Sequence, residues 1–151
     1  MRDLSIYDRI YVDLDDTLVY GFMTDLMDVT WKLFKSQTIA TTLATIQTKF
    51  RLYRTNDKLL FMLKKSNRPV TILTARKPLL ATFELVQQIA PYATLVEMSS
   101  LHPYIDKIDY IVEDCKGNVI LFDDNKYTRL NAIMNDVLAI DPTSMFEELI
   151  K

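Results

Sequence analysis

The stretch Ile10-Tyr11-Val12-Asp13-Leu14-Asp15-Asp16-Thr17-Leu18 decides the fold of this chain. Its first part is apolar and β-branched and runs into acids, a pattern typical of a buried strand over residues 10–14. Only two glycines occur among the 151 residues, so a glycine-rich phosphate loop is excluded. The stretch therefore predicts a strand that delivers carboxylates to a site at its C-terminal end.

Four further apolar segments alternate with helical patterns along the rest of the chain. The strands are predicted at 70–74, 93–98, 119–122 and 137–140, and the helices at 57–65, from Pro78 to about 89, from Pro103 to a stop at Gly117, and at 127–134. Strands that are apolar throughout and alternate with helices indicate a parallel sheet covered on both faces. The predicted fold class is α/β, a three-layer Rossmann-like sandwich with a mainly parallel five-stranded sheet.

A helical insert, about residues 22–55, is predicted after the first strand of a single domain spanning 1–151. Between Val29 and Arg68 nine basic residues face one acid, Asp57. Such asymmetry indicates either an anionic partner or the solvated faces of amphipathic helices. The insert also carries aromatic residues that could stack on nucleic-acid bases, although helical spacing favours core positions for them: Trp31, Phe34, Phe50 and Tyr53.

Polar residues follow three other predicted elements at corresponding places. Thr74 ends the second strand, Asp123 and Asp124 end the fourth, and Lys107 lies in the first turn of the helix after the third. In parallel sheets the ligand site lies at the C-terminal ends of the strands. We therefore expect these residues to meet the carboxylates that follow the first strand.

Carboxylates gathered in this way repel one another, and a divalent cation relieves the repulsion. Oxygen ligands with room for water and phosphate suit magnesium, whereas a chain with one cysteine and one histidine cannot build a common zinc site. The predicted cofactor is Mg²⁺, and its candidate ligands are Asp13, Asp15, Asp123 and Asp124.

Phosphoryl transfer gives each of these residue types a role. Asp13 is the candidate nucleophile, and Asp15 the candidate acid that protonates the leaving group and later deprotonates water. Thr74 would donate a hydrogen bond to the transferring phosphoryl group, and Lys107 would neutralise that group together with Asp13.

The motifs of this chain resemble those of the haloacid dehalogenase (HAD) superfamily of phosphohydrolases over nearly its whole length. The matching stretches are Asp13-Leu14-Asp15-Asp16-Thr17-Leu18, Ile72-Leu73-Thr74-Ala75-Arg76 and Leu121-Phe122-Asp123-Asp124. The resemblance implies catalysis by Asp13, Asp15, Thr74 and a lysine, and substrate binding by Thr74, Ala75 and Arg76. Lys107 fits the lysine motif because it opens a helix after the third strand, but Lys116 is a competitor.

The expected function is a magnesium-dependent phosphatase, a phosphoric monoester hydrolase that forms an aspartyl-phosphate. The short insert implies a small or absent cap and an open site, and the motifs after the second and fourth strands are similar to nucleotidase and polynucleotide 3′-phosphatase branches. The expected substrate is a nucleotide or a nucleic-acid end. The alternative is a non-catalytic HAD-like regulatory or phospho-ligand-binding protein. A receiver domain fits poorly, because its acceptor Asp ends the third strand near the middle of the chain, and the candidates here, such as Asp57, sit in helical surroundings. No segment has the length to cross a membrane, and a cytoplasmic location is expected.

Overall fold

The computed structural model describes residues 3–142 of the chain. In chain order the strands are β1 (Arg9–Asp13), β2 (Val19–Tyr20), β3 (Arg54–Thr55), β4 (Val70–Thr74), β5 (Thr94–Glu97), β6 (Val119–Phe122) and β7 (Leu138–Ile140). The helices are α1 (Phe22–Phe34), α2 (Gln37–Lys49), α3 (Asp57–Lys65), α4 (Leu80–Ile89), α5 (Pro103–Asp114) and α6 (Lys126–Met134). A single 3₁₀ turn, Leu4–Ile6, precedes β1.

The central sheet has five parallel strands in the order β5-β4-β1-β6-β7. Strand β1 lies in the middle, with Ile10 opposite Val70 of β4 on one side and opposite Ile120 of β6 on the other. The predicted α/β fold with a parallel five-stranded sheet is confirmed. Because all five strands run the same way, the C-terminal ends of β1, β4 and β6 meet at one edge of the sheet.

Helices cover both faces of this sheet and make a three-layer sandwich. On one face, Ile10 and Val12 of β1 belong to a core that includes Leu59 and Leu63 of α3 and Leu85 of α4. On the other face Tyr11 and Leu121 join a smaller core with Ile108 and Ile111 of α5 and Ala132 of α6. The alternation of side chains along β1 therefore supplies both cores from one strand.

The segment between β1 and α3 contains two helices, α1 and α2, which pack against each other. Lys35 separates them in the left-handed conformation (φ 48°), and the Ser36 side chain caps α2 by accepting a hydrogen bond from the Ile39 N–H. Strands β2 and β3 pair antiparallel at the base of this unit. The Asn56 side chain then caps α3 through the Leu59 N–H, as its position before the helix predicts.

The expectation that the aromatic residues of this segment lie in the core is wrong for two of them. Phe34 and Phe50 are 65% and 63% exposed, because they stand at the ends of α1 and α2, where no other layer covers them. Tyr53 does pack against the larger core, whereas Trp31 lines a cavity. Within residues 3–142 no helix combines the length and the apolar character needed to cross a membrane.

Two predicted helix boundaries are wrong. Helix α4 begins at Leu80 rather than at Pro78, because the Leu79 N–H is held by the Glu97 carboxylate at 2.8 Å and the preceding residues remain a loop. Helix α5 ends at Asp114, and Gly117 is not its C-terminal stop. A Cβ atom at Gly117 would lie 2.2 Å from Asp8 Oδ2, so a larger residue there would displace the Asp8 carboxylate.

The C-terminal end of α5 is tied to β1 by a small ionic cluster. Asp114 accepts hydrogen bonds from the buried Tyr11 hydroxyl (2.6 Å) and from Arg9 Nη1 (2.7 Å). A carboxylate at a helix C-terminus is disfavoured by the helix dipole, and these two donors offset that effect. The hydrogen bond from Tyr11, followed by that from Arg9, holds the pKa of Asp114 below its ordinary value.

We expect the Asp114→Asn variant to lose about 1 kcal/mol of stability at neutral pH. Because the folded-state pKa of Asp114 is lowered, its contribution is present above the unfolded-state pKa and is lost as the pH falls through the folded-state value. The free energy of unfolding of the variant should therefore fall less steeply on acidification, as measured by urea unfolding across pH. Glu113→Gln, an exposed charge change on the same helix, is the control and should keep the wild-type slope.

Candidate active site

A buried ion pair lies at the C-terminal edge of the sheet. Lys107 Nζ lies 2.7 Å from Asp13 Oδ1 and 3.1 Å from Asp123 Oδ2. Among the described residues, no other side chain forms a salt bridge with either of these two carboxylates. Asp13 ends β1, Asp123 follows β6, and Lys107 is the fifth residue of α5, one turn later in the helix than the sequence predicts. All three residues are less than 10% exposed.

Burial and neighbouring charge compete at this pair. Burial raises the pKa of Asp13 well above its ordinary value; the Lys107 ammonium opposes that rise, and the Asp123 carboxylate adds to it. For Lys107, burial alone would lower the pKa, but Asp13 and Asp123 outweigh it and the pKa is raised. Lys107 is therefore a fixed positive charge, and one such charge does not balance the carboxylates around it.

Thr17 links the loop after β1 to the loop after β6. Its hydroxyl lies 3.1 Å from Asp13 Oδ2 and 3.3 Å from Asp124 Oδ1, and the Asp124 N–H donates to Thr17 Oγ1 at 3.3 Å. The Asn125 N–H donates to Asp123 Oδ1 at 2.9 Å, at the start of α6. Two loops far apart in sequence are thus held together by a fully buried threonine.

Three carboxylates are gathered closely enough to hold one metal ion. Each of Asp13, Asp123 and Asp124 offers an oxygen atom, and these three atoms all lie within 4.8 Å of one another. The donor set consists only of oxygen atoms, which fits a hard divalent cation such as Mg²⁺. Burial raises the pKa of Asp124, a hydrogen bond with Asp13 opposes the rise, and the Asp123 carboxylate adds to it. A cation at this place would relieve the repulsion among the three carboxylates.

Asp15, the fourth predicted metal ligand, lies outside this group. Its two carboxylate oxygens are bound by Arg76, at 2.9 Å from Nε and 2.6 Å from Nη2. The same guanidinium also donates to Gln47 Oε1 of α2 and to Thr82 Oγ1 of α4, both at 3.2 Å. Burial alone would lower the pKa of Arg76, but Asp15 more than compensates, so the guanidinium remains charged. Arg76 thus connects the loop after β1 to the helices α2 and α4.

The other predicted site residues lie at the end of β4 and directly after it. Thr74 is 1% exposed, and its hydroxyl accepts a hydrogen bond from the Arg76 N–H at 3.2 Å, which leaves the hydroxyl hydrogen for another acceptor. Ala75 is exposed and lines a cavity beside Arg76. The structure therefore brings all three to the same edge as Asp13.

The two candidate lysines lie in different surroundings. Lys107 points into the carboxylate group, as described above. Lys116 is exposed, and its ammonium donates to the Val112 carbonyl oxygen at 2.7 Å. Of the two, only Lys107 contacts the predicted site.

A cavity of about 480 Å³ lies between the helices α1 and α2 and the loops after β4 and β5. Its lining includes the ion pair of Asp15 with Arg76, and Asp16. The two helices contribute Thr24, Met27, Asp28, Trp31, Lys32, Gln37, Ala40 and Ala44, and the loops contribute Ala75, Lys77, Leu79, Ser99, Ser100, Leu101 and Pro103.

Sequence reasoning missed the residues that fix Arg76. Gln47 is fully buried in α2, and its amide nitrogen also donates to Thr24 Oγ1 of α1 at 3.1 Å. A polar residue within a helix carries no local signal of such a role, because the partner is brought close only by tertiary packing. Thr17 did carry a signal, since it stands in the motif that follows β1.

No protein-family model matches the chain, and a search of curated proteins finds no match either. The geometry of the site therefore carries the functional proposal.

We expect Lys107→Met to destabilise the fold by about 3–5 kcal/mol, because two buried carboxylates lose their cationic partner. Lys116→Met removes the same charge from an exposed position and should change stability by less than about 0.5 kcal/mol. Urea unfolding of both variants measures the difference. Equal stability of the two variants would contradict the buried ion pair described here.

Proposed function

We propose that this chain is a magnesium-dependent phosphohydrolase of the HAD superfamily that acts through an aspartyl-phosphate. The observation that carries the proposal is the convergence of Asp13, Lys107 and Asp123, from three separate segments, at the C-terminal edge of one parallel sheet. The order of the motifs along the chain supports the same assignment. A group of this composition has the nucleophile, the fixed positive charge and the metal ligands that phosphoryl transfer requires.

Asp13 is the nucleophile in this proposal. Lys107 holds its Oδ1 and Thr17 lies against its Oδ2, so the carboxylate orientation is fixed before substrate arrives. One oxygen of Asp13 attacks phosphorus, the new phosphorus–oxygen bond forms, and the bond from phosphorus to the leaving oxygen breaks. The product of this step is an aspartyl-phosphate and a free alcohol.

Positive charge and hydrogen-bond donors stabilise the oxygens of the transferring group. Lys107 supplies the charge at 2.7 Å from Asp13 Oδ1, and the Thr74 hydroxyl has a hydrogen to donate. Asp13, Asp123 and Asp124 would hold the ion. When bound there, Mg²⁺ would supply further positive charge to the phosphoryl oxygens.

Asp15 is the general acid and then the general base in this proposal. It donates a proton to the leaving oxygen in the first step, and in the second it accepts a proton from the water that attacks phosphorus. That attack releases inorganic phosphate and restores Asp13. Arg76 donates hydrogen bonds to both Asp15 oxygens in the free protein. For the first step Asp15 therefore gives up one of these bonds and takes up a proton from water, which it then donates to the leaving oxygen.

We expect the purified protein to hydrolyse an aryl phosphate in the presence of Mg²⁺, and Asp13→Asn to lose at least about 10³-fold in kcat. Acid-quenched wild-type protein should carry hydroxylamine-labile phosphate, and the variant should not. Asp109→Asn, an exposed change on α5, is the control for altered net charge. Equal turnover by Asp13→Asn and wild type would remove the proposal.

We expect Mg²⁺ to raise the Tm of the wild-type protein, because an ion that binds only the folded state stabilises it, by about 2.7 kcal/mol at a concentration of 100 times Kd. Asp124→Asn should weaken this effect, since it removes one of the three gathered carboxylates. Asp15→Asn is the matched control and should keep the effect, because its side chain binds Arg76 instead. Thermal unfolding at increasing Mg²⁺ measures both, and the reverse result would place the ion elsewhere.

The second candidate is a non-catalytic HAD-like protein that binds a phosphorylated ligand. The engagement of both Asp15 oxygens by Arg76 favours it, since a residue held in this way is not free to transfer protons. Calorimetric titration with inorganic phosphate and Mg²⁺ separates the candidates. Binding without turnover of any phosphomonoester would support the second one.

A further inference from the structure

Helix α1 carries large apolar side chains on a side that faces solvent. Phe22, Val29 and Leu33 are 75%, 50% and 70% exposed, and Leu26 lies half-buried among them. These four residues form the α1 stripe. A different side of the helix packs inward, where Met23 is buried and α1 contacts α2. The α1 stripe is therefore apolar surface that the described part of the chain leaves in water, and covering it would be favourable.

The spacing of the α1 stripe is that of a coiled-coil seam. Its members follow one another at intervals of four, three and four residues, so they occupy the d and a positions of a heptad in turn. Side chains at these positions insert between those of a second helix. Helix α1 has 13 residues and is about 20 Å long, so another helix of the same length would cover the whole stripe.

The charges beside the α1 stripe favour a second copy of α1 as that helix. Asp25 and Lys32 each stand directly before an a position, at the g positions of the heptad, where residues form ion pairs between helices. When two copies lie antiparallel, Phe22 meets the partner's Leu33 and Leu26 meets the partner's Val29. Asp25 then lies beside the partner's Lys32, and two-fold symmetry repeats this ion pair. The surface is thus complementary to itself.

Lys32 is available for such a pair. It forms an ion pair with Asp28 of the same helix at 2.9 Å, but its side chain is exposed, and an ammonium group has three hydrogens to donate. A parallel arrangement would instead set Asp25 beside Thr30 of the partner, where no cation is present. The antiparallel arrangement is therefore the one that the charges select.

A lipid surface fits the α1 stripe less well. Helices that lie on membranes carry mostly lysine and arginine on their polar face. Helix α1 has two acids, Asp25 and Asp28, against the single base Lys32, so an anionic membrane would not attract it.

Helix α6 also exposes apolar side chains, among them Leu130 and Ile133. Its charged residues are Lys126 and Arg129, with no acid, so two copies of α6 would bring like charges together. Of these two exposed helix faces, only the α1 stripe matches a second copy of itself.

We propose that two copies of this chain form a two-fold symmetric dimer through antiparallel pairing of their α1 stripes, with Asp25 of each copy bound to Lys32 of the other. The proposal is independent of the phosphohydrolase function proposed above. Because the paired helices are short, the interface lies at the small end of specific interfaces, and we expect a Kd of about 1–100 μM.

Sedimentation equilibrium of the full chain tests the dimer, since it separates the monomer mass of 17.6 kDa from twice that mass. Leu33→Ser should raise the Kd at least about tenfold, because each dimer loses two buried leucine side chains. Ile133→Ser, the same kind of change on α6, is the matched control and should keep the wild-type Kd. A protein that stays monomeric up to about 1 mM would overturn the proposal. So would a dimer that Ile133→Ser disrupts and Leu33→Ser does not.

Exchange of the two charges tests the antiparallel arrangement. Asp25→Lys brings two bases together at each symmetric contact, and Lys32→Asp brings two acids together, so each should raise the Kd at least about fivefold. The double variant restores opposite charges and should return the Kd to within about threefold of wild type. Circular dichroism should show the same helix content in all of these proteins. No recovery in the double variant would overturn the arrangement. A monomer that binds phosphatidylcholine vesicles, and loses this binding in Leu33→Ser, would overturn the dimer and assign the α1 stripe to lipid.

Discussion

The arrangement of this protein depends on the balance of charge around one buried ammonium. Lys107 lies between Asp13 and Asp123, and all three side chains are almost completely removed from water. Without that ammonium the carboxylates would repel one another in a place where solvent cannot screen them. With it, Asp124 still stands close by, so the group carries more negative charge than positive charge. A site with excess negative charge attracts a cation, either alone or together with a bound ligand.

The parallel sheet makes that balance possible. Strand β1 is central, so its end has a neighbouring strand end on each side, and α5 returns across the sheet to deliver Lys107. An antiparallel sheet would send adjacent strand ends to opposite edges. The candidate site therefore depends directly on the fold, because the strands that build the core also bring the reactive groups together.

The sequence was a good guide to what depends on local pattern. Apolar runs gave the five strands, and the residues immediately after β1, β4 and β6 gave the carboxylates and Thr74, because parallel strands share one functional edge. It was a poor guide to side-chain partners across layers. That Arg76 binds Asp15 and is held by Gln47 follows from the packing of α2 against α4, which no spacing encodes.

Helix ends were also less predictable than strands. Pro78 looked like a helix start, yet the Leu79 N–H is taken by Glu97 and the helix begins later. Gly117 looked like a helix stop, yet the helix ends at Asp114 and Gly117 lies against the Asp8 side chain of a distant segment. The hydrophobic pattern cannot tell Phe34 and Phe50 from core residues, since their exposure depends on where the layers end.

The short ribbon of β2 and β3 joins the two ends of the α1–α2 unit. Val19 lies opposite Thr55 and Tyr20 opposite Arg54, so the chain leaves and returns at neighbouring points. Because the ribbon already holds the two junctions together, the 33 positions enclosed by 21–53 form a module that can change in length and sequence, provided that Gln47 and its hydrogen bond from Arg76 are kept. Recombination at this ribbon offers a natural route, and a practical one for protein engineering, to diversify recognition while leaving the chemistry in place.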